Sequence, residues 1–567
     1  MIASSNGAVA AGLLTLFACA PARAEPGRSV VLRGGAIYTL DRARPWASAL
    51  VIQDGRIAYA GDDAGALTFA GTGARVVGLD GRMVLPGFHD SHVHPMTGGM
   101  RLLRCRLGGL STADQVYAAV RACAATGPRN GWLLGAGWSP KAFANGGPTR
   151  RKLDELVPDR PALLTTEDGF VAWANTRALT LAGIRADGSG AQTPGIERER
   201  KTPRPTGILK DDAVSFVRRH APQPTQAEYR EALRRSTEMA NRAGITSVVD
   251  ANATDVVLEA YRAADLAGEL TVRVVAAQRI DPRRGEEQVA ELVARRDRAR
   301  GRRLRADAAK IFLDGEIDRH TAAMLEPYAG APGVRGELMI EPRTLDALVR
   351  RLDAEGFLIH MHAMGDGAVR AGLDAIEHAI QANGARDRRH QLAHLGVVAP
   401  EDIPRFGRLG VAANLQPLWA QADDEAYGPT QAALGQTRSR WMYPMASIAA
   451  GGGRILAASD WPSPSMNPLD AIQVAVTHQP LDGSKPAAQP QERVGLPAIL
   501  AAYTIDAAWV AREETLNGSI EVGKSADLVV LDRNLFETDV LKLHEARVLL
   551  TLLDGEPVYR DPNFASP

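Results

Sequence analysis

The 567 residues are 45% hydrophobic and 23% charged, the balance of a soluble globular chain, which excludes a disordered or fibrous protein. Lys plus Arg and Asp plus Glu each count 66, so no net field draws the chain to nucleic acid or an anionic membrane, and a small-molecule substrate is the expected partner. The length exceeds one ordinary domain, yet α/β barrels with insertions reach roughly 400 residues or more, so one large barrel with smaller satellites is predicted.

The chain opens with an apolar run over residues 8–18, then Pro21-Ala22-Arg23-Ala24 before Glu25, the A-x-A form of a signal-peptidase site. Residues 1–24 are therefore expected to be a cleaved signal peptide, sending the mature chain to the periplasm or medium. Leu16-Phe17-Ala18-Cys19 loosely resembles a lipoprotein cleavage site, which would give an anchored protein instead. The run is too short to span a bilayer and no other long apolar run follows, so no membrane span is expected. Cys105 and Cys123 remain after cleavage. Neither sits in a metal-binding spacing, and the preferred reading is two buried free thiols rather than a disulfide. A homo-oligomer is compatible with the sequence, which carries no signal for its state.

Residues 30–84 are short alternating segments separated by Gly and Asp, the pattern of small strands with tight turns, and the texture returns at 518–532 and 548–559. One small β-sandwich built from both chain ends (25–84 and 511–567) is predicted, enclosing a (β/α)8 TIM barrel of the α/β class over residues 85–510. Apolar runs at 83–88, 245–250, 271–277, 308–313, 357–362, 390–394, 410–414 and 454–459 alternate with helical stretches, and eight strands close a parallel barrel. The first gap is too long for one crossover helix, so residues 98–240 are assigned to an insertion that shapes the entrance. The Arg-rich stretch 283–305 has helical spacing with interleaved Glu and is read as a solvated outer helix.

Chemistry gathers where the strands end. The first run leads into LPGFHDSHVHP at residues 85–95. Residues two apart on an extended segment share a side, so His92 and His94 present two imidazoles to one ion, whereas His89 falls off that register. His362, His394 and Asp460 follow other strands at the same face. Four histidines and a carboxylate at matching strand ends point to a divalent metal centre. His360, one alternation before His362, is a further residue able to face the pocket. Lys310 lies in an otherwise apolar strand, where burial favours a neutral amine that adds carbon dioxide to give a metal-bridging carbamate. Pairing with a carboxylate such as Asp314 is the equal alternative. Arg319 and His320 are candidates to orient substrate, against pairing with Glu316 or Asp318. Trp138, Phe170 and Trp461 are candidate pocket walls.

These motifs resemble the amidohydrolase superfamily, in the branch of YtcJ-like proteins and N-substituted formamide deformylase. LPGFHDSHVHP is similar to that branch's first-strand motif, AKIFLDGEIDRHTAAMLEPY to its fourth, HMHAMGD to its fifth, QLAHLG to its sixth and AASDWPSPSMNPL to its eighth. The likeness covers nearly the whole mature chain. It implies that His92 and His94 bind a first metal and His362 and His394 a second, that N6-carboxylated Lys310 bridges both, and that Asp460 touches the first metal and shuttles protons. One or two zinc ions are implied, as is hydrolysis of a carbon–nitrogen bond in an amide or cyclic amide other than a peptide. An esterase or lactonase would use the same groups. A deaminase would place glutamate three residues after the fifth-strand histidine, where this chain has Gly365. An exported binding protein without turnover is the alternative from another class. EDGFVAWAN departs from the branch, with Phe170 where histidine often stands.

Overall fold

The computed structural model describes residues 29–126, 131–143, 147–166, 169–423, 427–463 and 465–564. The expected signal peptide lies outside them. Among the described residues no helix is long and apolar enough to cross a membrane.

The expected barrel is present. Eight parallel strands pair in chain order: Phe88–Val93, Ile245–Ala253, Arg273–Arg279, Leu304–Phe312, Leu358–Ala363, Gln391–His394, Ala412–Leu415 and Arg454–Ala457. Bonds from the first strand to the eighth and the turn after it draw the edges together: Ser91 Oγ donates to Ala457 O (2.8 Å), His94 N to Trp461 O (2.9 Å), and Asp460 N to His92 O (2.8 Å). Outer helices bury one apolar stripe each. Helix Pro342–Ala354, capped by the Glu341 side chain, turns Leu345, Leu348, Val349 and Leu352 inward at the three-to-four-residue spacing of one face.

The first barrel strand differs from the expectation. The apolar run at 83–88 is shared between two sheets. Met83–Pro86 pairs antiparallel with Leu528–Leu531 of the chain-end sheet, and the barrel strand begins only at Phe88, so His92 lies within it. Gly87 marks the crossing, since a Cβ there would meet Thr246 Oγ1 at 2.3 Å. Periodicity cannot show such a division, because both pieces are equally apolar.

Both chain ends build one eight-stranded sheet, whose Leu32, Ile37, Leu50, Val84, Leu528 and Leu550 share an apolar cluster. The insertion forms a six-stranded sheet from Cys105–Arg106 to Pro205–Lys210. It ends earlier than expected. Helix Gln226–Arg242 belongs to the barrel, for its Ala232, Leu233 and Ala240 join the barrel core and Asn241 Nδ2 donates to Ile245 O (3.2 Å). The outer helix over the Arg-rich stretch is seen at Val289–Arg298, with Arg284 and Arg295 paired to Glu291.

The cysteine reading needs correction. Cys105 and Cys123 form a disulfide with Cα atoms 5.6 Å apart. Cys105 lies on an edge strand of the insertion and Cys123 on helix Ala113–Thr126 packed against it. Their register depends on how helix meets strand, which the 18-residue spacing does not reveal.

Candidate metal centre

The barrel's pairing register assembles the site. Lys310 pairs with His360, Phe312 with His362, and Ala363 with His394, so groups distant in sequence reach one level at the strand ends. The imidazole centroids lie close together: His92 to His94 5.4 Å, His92 to His394 4.7 Å and His362 to His394 4.5 Å. Asp460 Oδ1 lies 3.4 Å from His92 Nε2 and 3.1 Å from His94 Nε2, and one ligand atom from each of the three falls within 4.8 Å of the others. Asp460 and His394 hold left-handed backbones, φ 54° and 79°, a strain that side chains tolerate where their direction matters.

Burial keeps three of the imidazoles neutral. Desolvation, then the Lys310 charge, draws His92 well below the usual histidine range, and the same two causes take His362 to about 3. Desolvation, then His362 and Lys310, does the same for His394. Neutral rings offer lone pairs, which a cation needs.

Lys310 is the most telling group. It is fully buried, its Nζ has no hydrogen-bond partner, and the ring of Phe312 lies 4.8 Å away. Desolvation pushes its pKa down to about 7, against the pull of Asp460. Pairing with Asp314, the alternative open from sequence, does not occur: that carboxylate accepts the backbone N–H groups of Ala323, Met364 and Gly365 at 2.9–3.0 Å. Four imidazoles, a shared carboxylate and an unpartnered amine fit a divalent metal centre, and the amine suits carbamate formation.

Of the supporting groups, the sequence pointed only to His360, as a residue able to face the pocket. His360 Nε2 lies 2.9 Å from His92 Nδ1, which leaves His92 Nε2 directed at Asp460. Gln416 Oε1 lies 2.9 Å from His394 Nδ1, and Gln416 in turn donates to Asn414, which donates to Ser91 O and Gln391. Asp90 accepts Ser459 N at 3.0 Å and bonds the Ser459 hydroxyl, tying the first strand to the turn that carries Asp460. The available signal was an uncompensated polar residue in an apolar strand, as in Asn414 and Gln416 of AANLQP. His89, read as off-register, is buried beside Arg273 and Glu513 rather than facing the site.

The proposed substrate contacts fare unevenly. Trp138 is not a pocket wall, because its ring is buried in the insertion core and its indole N–H donates to Leu164 O at 2.8 Å. Arg319 lies 3.9 Å over the exposed Phe170 ring, so these two candidates meet each other. His320 stacks on Tyr328 at 4.4 Å. Trp461 packs beside the site, where a Cβ on Gly98 would reach its ring at 1.9 Å. Trp419 stacks on His394, with centroids 5.4 Å apart.

Comparison with known proteins agrees with the fold. The chain is 31% identical to the Arabidopsis thaliana protein LONG AFTER FAR-RED 3 over 94% of its own length and 91% of that protein. It is 27% identical to N-substituted formamide deformylase of Arthrobacter pascens, covering 93% of this chain and 98% of that enzyme. A solved structure described as an uncharacterized metal-dependent hydrolase from Pyrococcus furiosus superposes with a TM-score of 0.73 at 26% identity, over 89% of this chain and 99% of that one. The amidohydrolase family pattern matches residues 75–559. The chain belongs to the amidohydrolase family, in the branch that its strand-end motifs resemble.

Proposed function

We propose that the protein is a metal-dependent hydrolase of a carbon–nitrogen bond in an amide or cyclic amide other than a peptide. The observation that carries this reading is the buried, partnerless Lys310 amine among neutral imidazoles beside Asp460. His92, His94, His362, His394 and Asp460, with Lys310 as a carbamate, would hold one or two divalent ions, zinc by donor type. Such an ion, when bound, acidifies water and polarises a carbonyl. Asp460, held by the Asp90–Ser459 contacts, accepts the proton of the attacking water and returns it to the departing nitrogen. Gln416 and His360 hold the rings of His394 and His92 in place. The relative that acts on N-substituted formamides supports an amide substrate.

Elemental analysis of purified enzyme, followed by turnover on chromogenic amides before and after chelation, tests this. Bound zinc and chelator-sensitive amide cleavage are expected; a metal-free protein inert after zinc loading would reject it. Export is proposed as well, supported by the Cys105–Cys123 disulfide, a bond that persists in oxidising compartments. Periplasmic or secreted protein beginning at Glu25 is the expected result of fractionation and terminal sequencing.

A further inference from the structure

Asp314 and Glu316 follow the fourth barrel strand two residues apart and are treated in opposite ways. Asp314 accepts three backbone N–H groups at 2.9–3.0 Å. Glu316 is partly buried, yet its carboxylate makes no hydrogen bond or ion pair among the described residues. A carboxylate drawn out of water without a partner costs stability, which marks it as a group kept for a ligand.

Glu316 stands next to the metal centre. The carbonyl of Gly315, the residue before it, lies 3.5 Å from His362 Nε2. Burial, then Asp318, then Asp460 push its carboxyl up to about 7, against a smaller pull from Arg319. Arg319 makes its contacts elsewhere, among them the Phe170 ring, and forms no ion pair with Glu316. A divalent ion bound beside Asp460 would add positive charge and favour the ionised Glu316 carboxylate.

Tyr443 supplies the second observation. It stands between the seventh and eighth strands, is 4% exposed, and holds a left-handed backbone with φ 46°. Its hydroxyl makes no hydrogen bond among the described residues, whereas the buried Tyr261 and Tyr328 donate to Asp250 Oδ2 and Ala322 O. Burial, then the Glu316 charge, raises its phenol, with Tyr427, Asp423 and Asp318 adding less, so the hydroxyl faces the loops that follow the fourth and seventh strands. The seventh-strand loop also carries Trp419, stacked on the expected ligand His394.

We propose that Glu316 and the Tyr443 hydroxyl form the specificity site for an ammonium group on the substrate, which makes the substrate class an amide bearing a basic substituent. The word substrate rests on the hydrolase reading above. An ammonium donates to the Glu316 carboxylate through a charge-assisted bond and to the Tyr443 oxygen through a second bond. A substrate carboxylate in the same place would meet Glu316, Asp318 and Asp460 as like charges.

Steady-state kinetics on the zinc-loaded full-length enzyme, with N-(4-aminobutyl)formamide against its neutral isostere N-pentylformamide, tests the site. Wild type is expected to favour the amine by about tenfold or more in kcat/KM, through KM. Glu316→Gln should bring the two compounds within about twofold, and Tyr443→Phe should weaken the preference by about threefold. Glu316→Lys should move the preference to 5-formamidopentanoate, a reversal that a merely structural residue would not produce. No preference in wild type, or a preference kept in Glu316→Gln, overturns the proposal. So does an Asp318→Asn variant that costs as much as Glu316→Gln, since a diffuse acidic field and not a site would then be the cause. Should Glu316→Lys fail to fold, the nearly isosteric Glu316→Gln and Tyr443→Phe decide.

If neither formamide is cleaved, the hydrolase reading fails, and calorimetric titration of the same two compounds tests the ammonium site alone. Tighter binding of the amine that is lost in Glu316→Gln upholds the site, and equal binding of the two compounds overturns it.

Discussion

The barrel buries polar groups at both of its ends, and treats them in opposite ways. At the floor, Arg273 opens the third strand and places Nε 2.8 Å from Asp527 Oδ2 and Nη2 3.1 Å from Ser525 Oγ, with Asp554 on the same guanidinium. Those carboxylates come from the chain-end sheet, so the cluster joins the two sheets of the protein. At the opposite end Lys310 has no partner and His360 Nδ1 none. The contrast separates two uses of a buried charge. A closed cluster holds parts together, whereas an open one keeps donors available for a ligand at a cost in stability.

The largest expected effect comes from opposing substitutions at the two ends. Lys310→Met should lower kcat/KM by ~1000-fold or more, since a metal centre supplies several kcal/mol of transition-state stabilisation. Its melting temperature should hold or rise, because a buried amine without a partner is replaced by an apolar chain of similar length. Arg273→Met should do the reverse: a loss of about 3–5 kcal/mol in urea unfolding, as Asp527 is left buried and unpaired, with kcat per folded molecule retained. Stability falling alike in both variants would erase the distinction between the ends.

The same division explains what the sequence revealed. The strand runs and the groups His92, His94, Lys310, His362, His394 and Asp460 were legible because local pattern announces them: an apolar segment ending in a polar residue, with parallel strands aligning the ends. Partners set by distant packing were not. The His360 contact to His92 spans 268 positions and Asp90 to Ser459 spans 369, distances across which no periodicity reports. The Cys105–Cys123 bond and the burial of Trp138 depended on how the insertion's helix lies on its sheet, which residue spacing leaves open. The division of 83–93 between two sheets was hidden for the same reason.

A middle-sized effect would sharpen the picture of the open end. Gln416→Leu and His360→Phe leave every expected ligand in place and remove what orients His394 and His92. Each should weaken metal affinity by about 10–100-fold, read by competition with a chromogenic chelator. Unchanged affinity in both would mean that the ligands hold their geometry without help.

The smallest effect tests the closed end through pH. Burial would raise the Asp554 carboxyl, but Arg303 and Arg273 outweigh it and hold the group below the usual carboxylate range. A depressed folded pKa gives stability that is complete above the unfolded value, near ~4, and is lost as pH falls through the folded one. Wild type should therefore lose more melting temperature than Asp554→Asn on acidification from about pH 5 to about pH 2, and the two curves should converge at the acid end. The side chain is 32% exposed, so solvent screens the pair and the gap at neutral pH should stay below that for Arg273→Met. Parallel curves across this range would show that Asp554 is held by packing rather than by charge, leaving Asp527 as the electrostatic anchor of the floor.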